Sequence, residues 1–175
     1  MEFIPLKIEG VLGITQNSRT DNRGSLLRVW EQNTFMSDFP LIQSSLVLNP
    51  EAGTLRGIHY QAEPYSEKKI IQCFSGRVFD VVVDLRKDSS NFGEHMSLEI
   101  GPSSNYIGLI VPSGCAHGYL TLEPHSNLIY FMDNEFSPQN SFGLLWNDEK
   151  LAIQWPFQPT NISPQDASWQ KWPDV

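Results

Sequence analysis

Lys69-Ile70-Ile71-Gln72-Cys73-Phe74, a break at Ser75-Gly76, then Val78-Phe79-Asp80-Val81-Val82-Val83-Asp84-Leu85 reads as two strongly β-forming runs. Gly76 separates them closely enough for a hairpin. Just before them stands Arg56-Gly57-Ile58-His59-Tyr60-Gln61, which also reads as a strand. Side chains alternate along a strand, so Arg56, Ile58 and Tyr60 are expected on one face and Gly57, His59 and Gln61 on the other. An imidazole on the inner face of a β-barrel is held rigidly and partly desolvated, as a general base requires. The plainer alternative is a histidine that satisfies a hydrogen bond in the core.

The same pattern extends in both directions. Residues 1–16 suggest a strand ending in Gly-Ile-Thr-Gln, and a turn-rich stretch through Asn22-Arg23-Gly24 leads into a strand-like run from Ser25 to Trp30. One short helical turn is expected from Asn33 to Phe39, with Asn33 or Thr34 as its N-cap. Leu41 to Leu48 alternates weakly and ends at Asn49-Pro50. Beyond the central runs come Met96 to Ile100, Tyr106 to Val111, a turn at Pro112-Ser113-Gly114, then His117 to Leu122 and Asn127 to Met132. Ser163 offers a helix start, with Asp166 inside its first turn. Many short strands at this spacing indicate an all-β sandwich or barrel with short peripheral helices, as one domain over residues 1–175.

A chain of 175 residues buries about 70% of its unfolded surface in a single core. Twelve Lys and Arg against 20 Asp and Glu give a net charge of −8. That balance argues against a nucleic-acid or membrane surface, while leaving room for a small basic pocket around one anionic ligand. Cys73 and Cys115 each lie in an apolar segment and read as reduced core residues of a cytoplasmic protein. The N-terminal stretch has no signal-peptide pattern, and no apolar run is long enough to cross a membrane.

Pro112-Ser113-Gly114-Cys115-Ala116-His117 matches the P-x-G-x-x-H pattern of the second cupin motif. Metal-binding cupins also need a H-x-H pair and a carboxylate, yet His59 is followed by Tyr60 and Gln61. Glu63 and Glu67 are near, but two inward histidines fall short of the usual three ligands of a catalytic metal, so no metal is expected. His95 and His125 stand in loop-like contexts and are expected in solvent.

The chain resembles the dTDP-4-dehydrorhamnose 3,5-epimerases, nucleotide-sugar epimerases of the cupin superfamily. Arg23-Gly24, Leu55 to Gln61, Lys69 to Gly76 leading into Val78 to Arg86, Phe92-Gly93, Val111-Pro112 with Ala116-His117-Gly118, Tyr130, Trp146-Asn147-Asp148 and Ile153-Gln154-Trp155-Pro156 carry the likeness. Order and spacing hold from about residue 20 to 166. The resemblance implies a cupin jelly-roll (double-stranded β-helix) and an isomerase of deoxysugar and polysaccharide biosynthesis. It implies no cofactor, a nucleotide-linked 4-keto sugar as substrate, and a homodimer that exchanges N-terminal strands.

By the same resemblance, His59 is the base that removes protons alpha to the C4 ketone, and Asp166 is its paired carboxylate. Tyr130 is the acid that protonates the opposite face. Lys69, with Arg56 or His117, stabilises the enolate oxygen. Arg23 reaches the nucleotide phosphates, in a partner subunit's site. A neutral imidazole suits a base near pH 7, and a carboxylate on its second nitrogen fixes tautomer and orientation. Fixed donors around a developing oxyanion often contribute the largest catalytic effect. Each residue also has a plainer reading: Tyr130 as core, Lys69 as a solvated charge beside Lys68, Asp166 as a carboxylate at a helix N-terminus.

Several positions depart from the family pattern. Gln72 stands for an arginine, Arg28 for a carboxylate expected to face the ligand, and Gln43-Ser44-Ser45 for a Gln-x-Asn stretch. Phe136 closes the run Tyr130-Phe131-Met132-Asp133-Asn134-Glu135-Phe136, where the family has tyrosine. The resemblance implies a substrate-binding shell of Arg23, Arg28, Gln43, Arg56, His117 and Phe136. The departures at Arg28, Ser45 and Phe136 rewrite part of it and predict an altered preference among 4-keto sugars. Two other readings of the pocket remain: a cupin 3,4-ketoisomerase, and a non-catalytic sugar-binding cupin.

Overall fold

Residues 2–15, 19–31 and 39–172 are described by a computed structural model, and they are almost entirely β. They form strands numbered β1 to β14 in chain order. One sheet has the order β1 (Glu2–Pro5), β2 (Leu12–Thr15), β10 (Gly108–Val111), β7 (Lys69–Ser75), β12 (Asn127–Met132), β5 (Gln43–Val47). The other runs β13 (Ser141–Gly143), β6 (Thr54–Gln61), β11 (Cys115–Thr121), β8 (Val78–Asp84), β9 (His95–Ile100), with β14 (Asn161–Ile162) parallel to β6. A separate hairpin pairs β3 (Arg19–Asp21) with β4 (Gly24–Leu26). The arrangement is the expected cupin-type jelly-roll, with its two sheets facing each other across the core.

The period of two explains the layers. Ile71 and Cys73 of β7, Leu109 and Val111 of β10 and Leu128 of β12 point inward. They meet Val78 and Val82 of β8, and Cys115 and Tyr119 of β11, from the other sheet. The alternate residues serve two outer clusters. Ile70, Ile110 and Phe131 pack under Phe39, Val29 and Trp30, while Ile58, Val81, Val83 and Ala116 pack under Leu144, Leu151 and Trp155.

This double coverage corrects the expected hairpin at Gly76. β7 pairs with β10 and β12, whereas β8 pairs with β11 and β9. Both runs are apolar on both faces, so each becomes a central strand of its own sheet, and Gly76 carries the chain from one sheet to the other. The peripheral helices shrink to two three-residue 3₁₀ turns among the described residues, Pro138–Asn140 and Asp166–Ser168. The turn expected over 33–39 lies, apart from Phe39, outside the described residues. The Ser25–Trp30 strand ends at Leu26, and His95, expected in solvent, lies half-buried on β9.

Candidate active site

A cavity of ≈ 540 Å³ opens between the sheets. β6 supplies Arg56 and His59, β7 Lys69, β11 His117, β12 Tyr130 and β5 Gln43; Phe136 stands at the mouth, and the tail after β14 contributes Asp166 and Trp169. The sequence thus names most of the groups that converge here.

Arg56 and His59 share the cavity although strict alternation places them on opposite faces. The β6–β11 pairing slips: His117 faces His59, but Tyr119 faces Arg56, so β6 carries one extra residue between them. That bulge resets the alternation, sending Ile58 to the outer cluster and both polar side chains into the cavity. Gly57 sits in it with φ +136°, where a Cβ would lie 2.5 Å from the Gly118 Cα. Only a glycine fits that approach.

His59 Nε2 is 2.6 Å from Asp166 Oδ1. An ionised carboxylate can only accept, so Nε2 carries the proton and Nδ1 is left as the basic nitrogen. Asp166 is buried and fully engaged: Trp169 Nε1 donates to Oδ1 at 3.1 Å and the Gly57 amide to Oδ2 at 3.3 Å. Its own amide donates to Ser163 Oγ at 3.0 Å, which anchors the 3₁₀ turn. Burial pushes the Asp166 carboxyl up, but the hydrogen bonds and the charge of His59 outweigh it and hold it below the usual range.

Lys69 pairs with Glu67 at 3.0 Å, both nearly buried. Arg56 Nε donates to Asn49 Oδ1 at 3.0 Å, and the same oxygen accepts from the Tyr119 hydroxyl at 3.3 Å. His117 Nε2 meets Asp80 Oδ2 at 2.8 Å, both buried. Burial raises the Asp80 carboxyl and the histidine opposes it; Asp80 Oδ1 has no partner. The Tyr130 ring stands edge-on to His117, with centroids 5.9 Å apart. Burial pushes the Tyr130 phenol well above its ordinary value, which keeps it protonated. Among the described residues no three His, Cys, Asp or Glu side chains form a metal-binding cluster; His59 and His117 each face one carboxylate instead.

At the mouth, Gln43 Oε1 accepts from the Phe136 amide at 3.0 Å. Buried Gln61 donates to the Tyr65 and Glu135 carbonyls and accepts from the Ser137 amide, which ties both rim loops together. Phe136 is left 58% exposed, an aromatic face turned to solvent.

Arg23 and Arg28 are not brought to this cavity. Residues 19–28 are all exposed; Arg23 pairs with Asp21 and Arg28 with Glu31, each at 2.6 Å. The β3–β4 hairpin has no buried face to hold it against its own barrel, so neither guanidinium reaches its own chain's pocket. Gln72 is buried on the outer face of its sheet and donates to the Val29 carbonyl at 2.9 Å, so that departure also lies outside the cavity. Three neighbours of the site escape the sequence reading, Asp80, Trp169 and Asn49, while Glu67, weighed there only beside a metal, is instead the partner of Lys69. Asp80 had a signal, since it shares the inward parity of Val78 and Val82 and is therefore a charge forced into the core.

A family profile described as dTDP-4-dehydrorhamnose 3,5-epimerase matches residues 5–174. The dTDP-4-dehydrorhamnose 3,5-epimerase of Shigella flexneri is 33% identical over 179 residues, spanning 100% of this chain and 98% of that protein. The crystal structure of the Bacillus anthracis dTDP-4-dehydrorhamnose 3,5-epimerase with TDP and PPi bound superposes with a TM-score of 0.92 at 32% identity, over 98% of this chain and 99% of that one. The Legionella pneumophila dTDP-6-deoxy-D-glucose-3,5-epimerase, in complex with dTDP-4-keto-L-rhamnose, gives 0.90 at 26% identity over 97% and 92%.

Proposed function

The chain belongs to the dTDP-4-dehydrorhamnose 3,5-epimerase family and is an isomerase of the epimerase type; we propose that it inverts C3, C5 or both of a nucleotide-linked 4-keto-6-deoxy hexose by proton transfer through an enolate. The observation that carries this reading is the disposition of the two proton-transfer groups. His59 projects from one sheet, backed by Asp166 of the C-terminal 3₁₀ turn, and Tyr130 projects from the other, with Lys69 lining the cavity they share.

His59 Nδ1 takes the proton from the carbon beside the C4 ketone. The electrons of that C–H bond form the C=C of an enolate, and the carbonyl pair moves onto O4. Lys69, with Arg56 or His117, meets the oxyanion with fixed donors. Tyr130 returns a proton to the same carbon from the opposite face, and the ketone re-forms inverted. Solvent exchange resets the imidazolium and the phenolate. No electrons leave the substrate, so the reaction needs neither oxidant nor reductant. Glu67 holds the Lys69 ammonium at 3.0 Å without consuming all three of its donors.

Gln43 and Phe136 are proposed to receive the nucleotide at the mouth, with the ring as a stacking face. Arg23 and Arg28 are proposed to act in a homodimer, on the phosphates of the neighbour's substrate. What supports the dimer is the exposed hairpin, the open edge at β5, and exposed Leu26, Ile42, Leu46 and Leu48 beside them. β1 and β2 stay in their own sheet here, so the hairpin over 19–26 is the segment that would cross. Among the described residues no helix is long and apolar enough to span a membrane, and Cys73 and Cys115 are unpaired and buried. The two buried free thiols support a reducing, cytoplasmic setting.

Proton NMR in D2O tests the reading, with dTDP-4-keto-6-deoxyglucose as substrate. Deuterium should enter C3, C5 or both, with inversion at the labelled carbon. A folded protein that labels neither carbon would overturn the assignment, and a carbonyl that moves from C4 to C3 would make it a ketoisomerase.

A further inference from the structure

We propose that Trp169 is a positioning residue for the base: its indole N–H takes part of the Asp166 charge and thereby sets how readily His59 is protonated. The inference rests on His59 being the base, as proposed above. Trp169 Nε1 donates at 3.1 Å to Asp166 Oδ1, the same oxygen that His59 Nε2 approaches at 2.6 Å. The indole also stands edge-on to the imidazole, at 72° with ring centroids 6.1 Å apart, and lines the cavity.

The neighbourhood is shaped to admit this ring. Gly143 faces His59 directly in the β13–β6 ladder. A Cβ at Gly143 would lie 2.5 Å from Trp169 Nε1 and Cε2, so the indole reaches Asp166 only because that position bears no side chain. The chain beyond is pinned too, since the Leu145 amide donates to the Gln170 carbonyl at 2.9 Å.

A carboxylate oxygen shared between two donors gives each a weaker bond than one reserved for a single donor. The indole therefore withdraws negative charge from the imidazole. Without the indole N–H, Asp166 serves His59 more fully, and protonation sets in at higher pH.

The direct readout is the His59 imidazole titration, followed by NMR in the substrate-free protein labelled at histidine. In Trp169→Phe, which keeps a ring but loses the donor, the midpoint should rise by about half to one pH unit. Gly143→Ala, which displaces the indole and leaves tryptophan in place, should move it in the same direction. The acid limb of the deuterium wash-in rate should move with it in both variants. An unchanged titration midpoint in the two folded variants would overturn the inference. Because the titration needs no turnover, a wild-type protein that fails to label substrate would count against the proposed function alone.

Discussion

Replacing Asp166 with asparagine tests the central dyad. The carboxylate accepts three donors: His59 Nε2 at 2.6 Å, Trp169 Nε1 at 3.1 Å and the Gly57 amide at 3.3 Å. An amide has one acceptor oxygen and one donor nitrogen, so one side of the site must be mismatched in either orientation. With the oxygen toward His59, the new NH2 faces the Gly57 amide, and a buried donor left unpaired costs about 1–3 kcal/mol. With the nitrogen toward His59, the imidazole must move its proton to Nδ1, and the basic nitrogen turns away from the cavity. Either outcome slows the reaction; a misheld tautomer is worth roughly 10²- to 10⁴-fold. Because the His59 side chain is 38% exposed, water screens the pair, and the loss falls on geometry more than on Coulomb energy. The pH dependence has a definite sign. The folded Asp166 carboxyl lies below its ordinary 3.8, so its stabilisation is complete above that value and is lost as the pH falls through the folded one. Urea unfolding should therefore show Asp166→Asn less stable than wild type at pH 7, with the gap closing below about pH 4. Deuterium wash-in supplies the rate. Exchange within threefold of wild type, or a stability gap unchanged in acid, would refute the dyad.

Tyr130→Phe should keep wash-in at the carbon served by His59 while inversion falls at least about 100-fold, as expected for a lost general acid; NMR of the recovered sugar distinguishes the two, and unimpaired inversion would remove Tyr130 from the acid role. Burial pushes the Cys73 and Cys115 thiols up to about 12 from 9.0. Raised folded values mean that this stabilisation is complete below pH 9 and is lost as the pH rises toward 12, at about 1.4 kcal/mol per pH unit for each thiol; a urea midpoint that stays flat from pH 8.5 to 10.5 would contradict their burial. Mixing Arg23→Ala with His59→Ala subunits should restore activity if the hairpin completes a neighbour's site, and no recovery after demonstrated subunit exchange would remove that role.

The β character was legible because strand periodicity is a local signal. The jelly-roll class and His59, Lys69, Arg56, His117 and Tyr130 as site residues were legible through the resemblance to the family, which short local motifs carry. What was not legible depends on partners far apart in sequence. The bulge that brings Arg56 beside His59 arises in the pairing of β6 with β11, sixty residues on, and nothing within Arg56–Gln61 announces it except Gly57. The two-sheet crossing at Gly76 was hidden because a tight turn looks the same whether the strands that flank it pair or part. Trp169 reads as one more tail aromatic until the fold lays it on Gly143, and Asn49 reads as turn punctuation although it anchors both Arg56 and Tyr119.

The same periodicity seats the site on the core. On β7 the inward residues run Cys73, Ile71, Lys69; on β12 they run Leu128, Tyr130, Met132; on β11 Tyr119 precedes His117 toward the cavity. Each strand carries an apolar residue in the core and, two positions along the same face, a residue of the site. The ladder pairs these steps across strands: Met132 faces Lys69 and Tyr130 faces Ile71. The polar layer is thus the next course of the hydrophobic core, and the donors around the proposed oxyanion inherit the core's packing instead of being held by a loop. Electrostatic stabilisation of an enolate depends on donors that need not reorganise as charge develops. A cavity made by Ile71→Ala, one step behind Lys69 and opposite Tyr130, should therefore slow turnover more than it weakens substrate binding. A loss confined to KM would show that the core does not hold the donors in place.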